Sequence, residues 1–464
     1  VALTVFGGVK LKKVLIKDHH KDTLFYINRL KTNILDFNKL YNGDLLFGDI
    51  RMDGLFFHLK QYKNEKETNL DKFVSAFDDG SPSTGKFLMK ANAIYLKNSH
   101  FTMIDENSED PKILEFLKIN AQLEGFKIKG TDVTSAITEM SFLDFRGLKV
   151  ENLKTQFTYT QKNILLQKLK LLTKNSLLNA DVALRYKRED FSDFNNKVVF
   201  DIKVDTASVA TNDIGYFYKE LGKDNKFNFT ASILGTLNDF HTNQLNLVDL
   251  NNTKIIGDIN FKNLFGDEKQ GFFLKGKFDK LTSNHDDLAA LLPNILGKSL
   301  PSSMKKLGQF TIFGNADITT KSIKTDFFMT SSLGNLQTDL VMSDINNIDN
   351  ATYKGNVILE NFNVGSLLNR KELGFVSMNS DVDGKGFTLK LIDTKFNGKI
   401  SKLEYNNYTY TGILVNGNFK KPIFKGKVNV NDPNLFMDFD GIVDISKKEN
   451  VYKFDAKIDY ANLS

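Results

Sequence analysis

Apolar and polar residues alternate along most of this chain. Over residues 255–261, Ile255, Ile259 and Phe261 share a parity with Gly257, opposite Asp258 and Asn260. Phe227, Phe229 and Ala231 alternate with Asn228 and Thr230, and Phe387, Leu389 and Leu391 alternate with Thr388 and Lys390. Such a period of two predicts strands with one dry face and one wet face. Strands of a doubly covered parallel sheet would be apolar on both sides. The first hundred residues read the same way, as compact runs over 9–17, 24–31, 34–40, 45–52 and 55–59. Asp53-Gly54, Asn42-Gly43, Asp383-Gly384, Asn397-Gly398, Asn416-Gly417 and Asp440-Gly441 read as tight hairpin turns. Turns of that kind join antiparallel neighbours, whereas a parallel crossover needs a longer, usually helical connection.

Helices are expected to be few. Thr68 and Asn69 can cap a short one through Phe73, Val74 and Phe77. Three further inserts, near 213–222, 286–297 and 364–374, each end in Leu-Gly: Leu221-Gly222, Leu296-Gly297 and Leu373-Gly374. The spacing of about 75 residues is repeat behaviour. Gly222 reads as a C-cap, and Pro293 interrupts the most apolar insert. Each insert is too short to stand alone and must pack on sheet.

Composition narrows the chemistry. The 464 residues carry 62 Lys and Arg against 56 Asp and Glu, a net charge of +6 with no basic stripe, so nucleic acid is not an expected partner. Cysteine is absent, which excludes disulfides, thiolate nucleophiles and cysteine metal sites. No apolar run is long enough for a membrane-spanning helix. The start at Val1-Ala2-Leu3 without Met is read as a piece of a longer protein.

None of the six histidines has zincin spacing, and His19-His20, taken as strand residues, would point to opposite sides. His285-Asp286-Asp287 reads as a helix start rather than a metal cluster. Dinucleotide, P-loop and serine-elbow motifs are absent, so the expectation is a non-enzyme with no cofactor and no metal. The one excess is 40 Phe. A sheet curled around a face of Phe, Leu, Ile and Val suits hydrocarbon, and hiding acyl chains is worth about 0.8 kcal/mol per CH₂.

A set of short motifs carries a resemblance. Residues 8–18 (GVKLKKVLIKD), Gly48-Asp49-Ile50-Arg51-Met52-Asp53-Gly54 and Thr68-Asn69-Leu70 resemble the start of AsmA-like proteins. Tyr353-Lys354-Gly355-Asn356-Val357, Val364-Gly365-Ser366-Leu367-Leu368, Leu373-Gly374, Val382-Asp383-Gly384-Lys385-Gly386 and residues 426–435 (GKVNVNDPNL) are similar to the TamB branch of that family. The resemblance implies a periplasmic protein anchored in the inner membrane of a Gram-negative bacterium. It further implies a bridge-like conduit that moves phospholipid towards the outer membrane. An outer-membrane β-barrel partner would be engaged through a C-terminal domain absent from this chain, and the anchor would lie in a missing N-terminal segment.

The expected fold is therefore all-β with a few short helices: an elongated, curled antiparallel β-sheet, or β-taco, with a hydrophobic groove. About 35 strands at about 4.8 Å would give a rod on the order of 160 Å. Residues 1–80 would form the AsmA-like start, and 81–464 a continuous repeat-built β-taco. The groove-facing residues expected from alternation are Phe229, Ile233, Leu245, Leu247, Ile255, Ile259, Phe261, Phe310, Ile312, Phe327, Met329, Val357, Leu359, Phe387, Leu389 and Leu391. Leu288, Leu291, Leu292 and Ile295 are the expected cover. Alternatives are the scaffold of an outer-membrane protein assembly module, a transmembrane β-barrel, and a secreted β-repeat adhesin or carbohydrate-active protein.

Overall fold

A computed structural model describes residues 2–3, 8–36, 38–39, 44–75, 88–108, 111–218, 221–251, 253–265, 271–294, 296–386, 391–420, 423–444 and 451–462. The fold is all-β with a few short helices. It divides into two compact units, Val1–Lys219 with Lys226–Phe240, and Glu220–Asn225 with His241–Ser464.

The strands of the first unit are β1 (Ala2–Leu3), β2 (Gly8–Lys17), β3 (Thr23–Asn33), β4 (Leu45–Gln61), β5 (Leu88–Asp105), β6 (Lys112–Lys129), β7 (Asp132–Asp144), β8 (Lys149–Tyr159), β9 (Asn163–Thr173), β10 (Leu177–Arg185), β11 (Val199–Ala210) and β12 (Lys226–Thr236). Each pairs with the strand before it. All these pairings are antiparallel except β4–β5, which is parallel. The connection between those two strands carries the helix Asn69–Ser75, as a parallel crossover requires.

β13 (Asp239–Val248) enters the second unit at His241. It is followed by β14 (Lys254–Lys262), β15 (Phe273–Ser283), β16 (Phe310–Thr319), β17 (Ser322–Ser331), β18 (Gly334–Ser343), β19 (Thr352–Asn363), β20 (Leu373–Lys385), β21 (Asp393–Tyr405), β22 (Tyr408–Lys420), β23 (Ile423–Asp432), β24 (Leu435–Asp444) and β25 (Val451–Ala461). From β14 to β25 every strand pairs antiparallel with the next.

Strands are fewer and longer than expected, 25 among the described residues, because the X-Gly dipeptides do not turn the chain. Asp53-Gly54 lies inside β4, Asp383-Gly384 inside β20, Asn397-Gly398 inside β21, Asn416-Gly417 inside β22 and Asp440-Gly441 inside β24. Asn42-Gly43 lies outside the described residues. Gly417 pairs directly with Gly426, and Gly426 with Gly441. A Cβ on Gly426 would fall 2.4 Å from both Asn416 O and Gly417 Cα. Only hydrogen fits there, so these glycines mark a close backbone approach.

The hairpins are closed by other chemistry. Asn406 and Asn407 both have positive φ, 49° and 64°, between the paired Tyr405 and Tyr408, the signature of a type I′ turn. Elsewhere a side chain at the end of a strand accepts a backbone N–H two residues on. Asp18 accepts from His20, Asp144 from Arg146, Thr173 from Asn175, Asp249 from Asn251, Thr319 from Lys321 and Asp432 from Asn434. This Asx or Ser/Thr turn gives the N–H of the turn a side-chain partner.

The helical inserts fall close to the expected spans, but their Leu-Gly ends differ from one another. The helix Thr211–Ile214 stops well before Gly222 and is followed by Gly215, so Gly222 is not its C-cap. Gly222 instead lies against the helix His285–Leu291, where a Cβ would sit 2.2 Å from Ala290 O. Leu296 begins the helix Leu296–Ser299, and Leu373 begins β20. Asn284, not an aspartate, caps the helix His285–Leu291, accepting from the Asp287 N–H.

Gly426→Val should lower the unfolding free energy by about 2 kcal/mol, an overpacking cost, seen as a lower urea midpoint; an unchanged midpoint would refute the close approach.

Burial would raise the Asp432 pKa. Hydrogen bonds from Asn434 N–H, the Tyr408 hydroxyl, and the Thr411 N–H and hydroxyl outweigh it and hold the pKa below the usual value. A depressed carboxylate stabilises the fold above its unfolded pKa of about 3.9 and loses that contribution as pH falls through the folded value. Asp432→Asn should therefore be weaker than wild type by about 1–3 kcal/mol at pH 7. The gap in urea midpoint should narrow as the titration approaches pH 3.

Candidate apolar binding face

Residues paired directly across an antiparallel ladder point to the same side, so register shows which side chains share a face. In the second unit one line of pairs runs through Ile255, Leu281, Ile312, Met329, Leu336, Leu359, Met378, Ile400, Ile413, Val430, Met437 and Ile458. Every member is apolar. At about 4.8 Å per strand this track follows the sheet for roughly 50 Å.

A second line on the same face includes Phe278, Gly314, Phe327, Thr338, Val357, Ser380, Gly398, Val415, Val428 and Phe439. The expected residues Ile255, Ile259, Phe261, Phe310, Ile312, Phe327, Met329, Val357 and Leu359 thus stand on one face. Leu245 is buried on β13, and Leu247 is half-buried two residues on.

In the first unit Phe229 pairs with Ala207 and Ile233 with Ile202. Leu391 does not join these residues; it lies in the connection between β20 and β21, 41% exposed. Phe387 and Leu389 lie outside the described residues.

Sequence reading missed the strongest aromatic feature of the first unit. Phe25, Phe57, Phe101, Phe116 and Phe142 form a ladder with successive ring centroids 4.6, 5.3, 6.1 and 4.5 Å apart. Its members come from β3, β4, β5, β6 and β7, and the parallel β4–β5 pair aligns Phe57 with Phe101. Beside it Leu30, Met52, Leu96, Ala121 and Met140 form another apolar line.

The face of the second unit is unevenly covered. The insert between β15 and β16 starts at the rim where Ser283 pairs with Phe310. Its helix Leu296–Ser299 packs on the turn Ile345–Asn350, which joins β18 to β19 at the opposite rim. The insert therefore crosses the face from rim to rim. Its Leu291, Leu292, Leu296 and Leu307 are buried, as are Phe310 and Met329 on the strands, at 1% and 2% exposure. Of the expected cover residues, Leu291 and Leu292 are buried, Leu288 is half-buried and Ile295 lies outside the described residues. The Lys306 ammonium donates to Leu367 O at 2.7 Å, and the Ser332 N–H and hydroxyl both donate to Leu307 O, tying the insert to the first rim. From β21 to β24 most face residues are half-buried, and on β25 Phe454 and Ile458 are about half exposed.

The opposite face is polar. Asp339, Asn356, Asp381, Asn397, Asn416, Lys427 and Asp440 pair in one row, with Lys354, Asp383, Lys395, Asn418 and Lys425 in the next. A hollow of about 1290 Å³ lies between these rows. Its walls set Asp, Asn and Lys side chains beside Val341, Val382, Phe396 and Ile442; the charged groups make it a poorer host for hydrocarbon than the unbroken apolar track, which is the candidate site.

The histidine pair also departs from expectation. His19 and His20 occupy the turn after β2 rather than a strand, and both rings converge on Glu65. No family model, curated protein or solved structure matches this chain.

The uneven cover sets an order of sensitivity. Met329→Ala should cost about 2–4 kcal/mol, the loss typical of a sealed core position, whereas Phe454→Ala should stay within about 0.5 kcal/mol. Urea unfolding of the two variants checks the contrast, and equal losses would remove the distinction between covered and open track.

Proposed function

We propose that this protein is a bridge-like lipid conduit whose apolar strand face holds acyl chains. The observation that carries the reading is the unbroken apolar line across twelve paired strands, from Ile255 to Ile458. A transient aqueous crossing would expose roughly 25 kcal/mol of hydrocarbon for two sixteen-carbon chains. Transport therefore needs a dry track without gaps, and a line of directly paired Ile, Leu, Met and Val residues provides one. The line needs no catalytic group, and the occupant it suits is a phospholipid with its headgroup left towards solvent.

The motif resemblance adds the setting: a periplasmic location, an inner-membrane anchor, and an outer-membrane barrel partner. The insert from Asn284 to Gly308 acts in this reading as a cover at one end of the track. Towards β25 the same track is open.

Native mass spectrometry of the purified protein should show bound phospholipid. Val415→Asp and Phe439→Arg place charges on the half-buried, uncovered part of the face, where the fold tolerates them better than acyl chains do. Each should keep its far-UV circular dichroism and lose ten-fold or more of lipid transfer between vesicles. Folded variants with full transfer, or a wild-type protein free of lipid, would overturn the reading.

A further inference from the structure

The turn after β2 and the connection after β4 bring two imidazoles onto one carboxylate. His19 Nε2 lies 2.9 Å from Glu65 Oε2, and His20 Nε2 lies 2.7 Å from Glu65 Oε1. All three ligand atoms fall within 4.8 Å of one another. We propose that His19, His20 and Glu65 form a divalent-metal site of the zinc type, which clips the β2–β3 turn to the connection after β4.

The donor set is two imidazole nitrogens and a carboxylate. That is a borderline set, suited to Zn²⁺ and its neighbours and unsuited to Mg²⁺ or Ca²⁺, which take oxygen ligands. Zinc bonds of about 2.0–2.2 Å require the three atoms to lie around one centre, and small side-chain rotations bring them there. The partly exposed imidazoles, with 30% and 45% of the His19 and His20 side chains open to solvent, leave the remaining position to water.

What sets this cluster apart from chance surface histidines is its support. The Asp18 carboxylate accepts the His20 and Asp22 N–H groups, each at 3.0 Å, and so fixes the turn that carries both rings. Asp18 is itself held by the Tyr62 hydroxyl at 2.8 Å and the Asn69 amide at 3.1 Å. The Tyr62 ring packs against both imidazoles, with centroids 5.5 and 3.9 Å away. On the other side, the Glu65 N–H donates to Tyr62 O at 3.0 Å, and the Gln61 amide donates to Glu65 O at 2.8 Å. Ligands held by such partners arrive pre-oriented.

Beside the cluster the Lys60 ammonium is engaged by other carboxylates, 2.8 Å from Glu106 and 3.7 Å from Asp22.

Isothermal titration of the whole protein with Zn²⁺ should give one ion per chain, and Co²⁺ should develop a visible ligand-field band. Glu65→Gln and His20→Gln should each weaken binding ten-fold or more and abolish the Co²⁺ band, with circular dichroism unchanged. His285→Gln, outside the cluster, should bind as wild type. Zn²⁺ should also raise the melting temperature of wild type and not of Glu65→Gln, because an ion that binds only the folded state stabilises it. Absence of stoichiometric binding, or affinity indifferent to Glu65→Gln and His20→Gln, would reduce the cluster to a hydrogen-bonded group and overturn the proposal.

Discussion

A sheet of one layer has two faces, and each strand must turn its apolar side the same way as its neighbours. The track in the second unit exists only because every pairing keeps that phase. A slip of one residue would move a strand's whole apolar set to the wet side. Bulges preserve the phase where sequence parity breaks. Leu359 and Phe362 are three residues apart, yet they pair with Met378 and Val376 across a register shift, and both join the apolar side. Ile400 and Leu403 do the same against Met378 and Val376. An extra residue is absorbed as local twist rather than as a change of face.

Alternation was therefore the legible part of the chain. It placed Ile312, Met329 and Leu359 on one face before any register was known, and register then showed them to be members of one line, with Leu336 between the last two. Turns were misread for a physical reason. Asn-Gly and Asp-Gly are favoured both where φ must be positive and where no Cβ can fit, and the local sequence does not separate the two needs. Asn416-Gly417 and Asp440-Gly441 serve the second need. The turns themselves rely on a strand-terminal Asp or Thr, visible in Asp18, Asp249 and Asp432 only once the strand ends are known.

Features assembled from distant hairpins were not legible at all. The phenylalanine ladder draws one ring from each of five strands, and its alignment depends on the parallel β4–β5 pair. Thr68 and Asn69 did signal the helix in that crossover, but the direction of the following strand is a tertiary property. His19 and His20 point together because they sit in a turn whose shape Asp18 dictates, and Asp18 answers to Tyr62 and Asn69, more than forty residues away.

The glycine row links the geometry to the proposed role. On β25, which pairs only with β24 among the described residues, the apolar line is open and Ile458 is 57% exposed. Val415 and Val428 on β22 and β23 are only half-buried, and Ile413 and Val430 are buried, although the insert is tied to strands well before them. Neighbouring strands on both sides supply part of that shielding, and at Gly417, Gly426 and Gly441 the backbones approach more closely than any side chain permits. A face left half-open in this way is the kind of surface the proposed lipid reading requires, since the protein's own residues do not cover it with a second layer. A second packed layer would have sealed it, since interiors close to crystal density leave no such room. Glycine at mid-strand thus lets the strands under the open part of the track approach closely, where the leucines of the insert cover its other end.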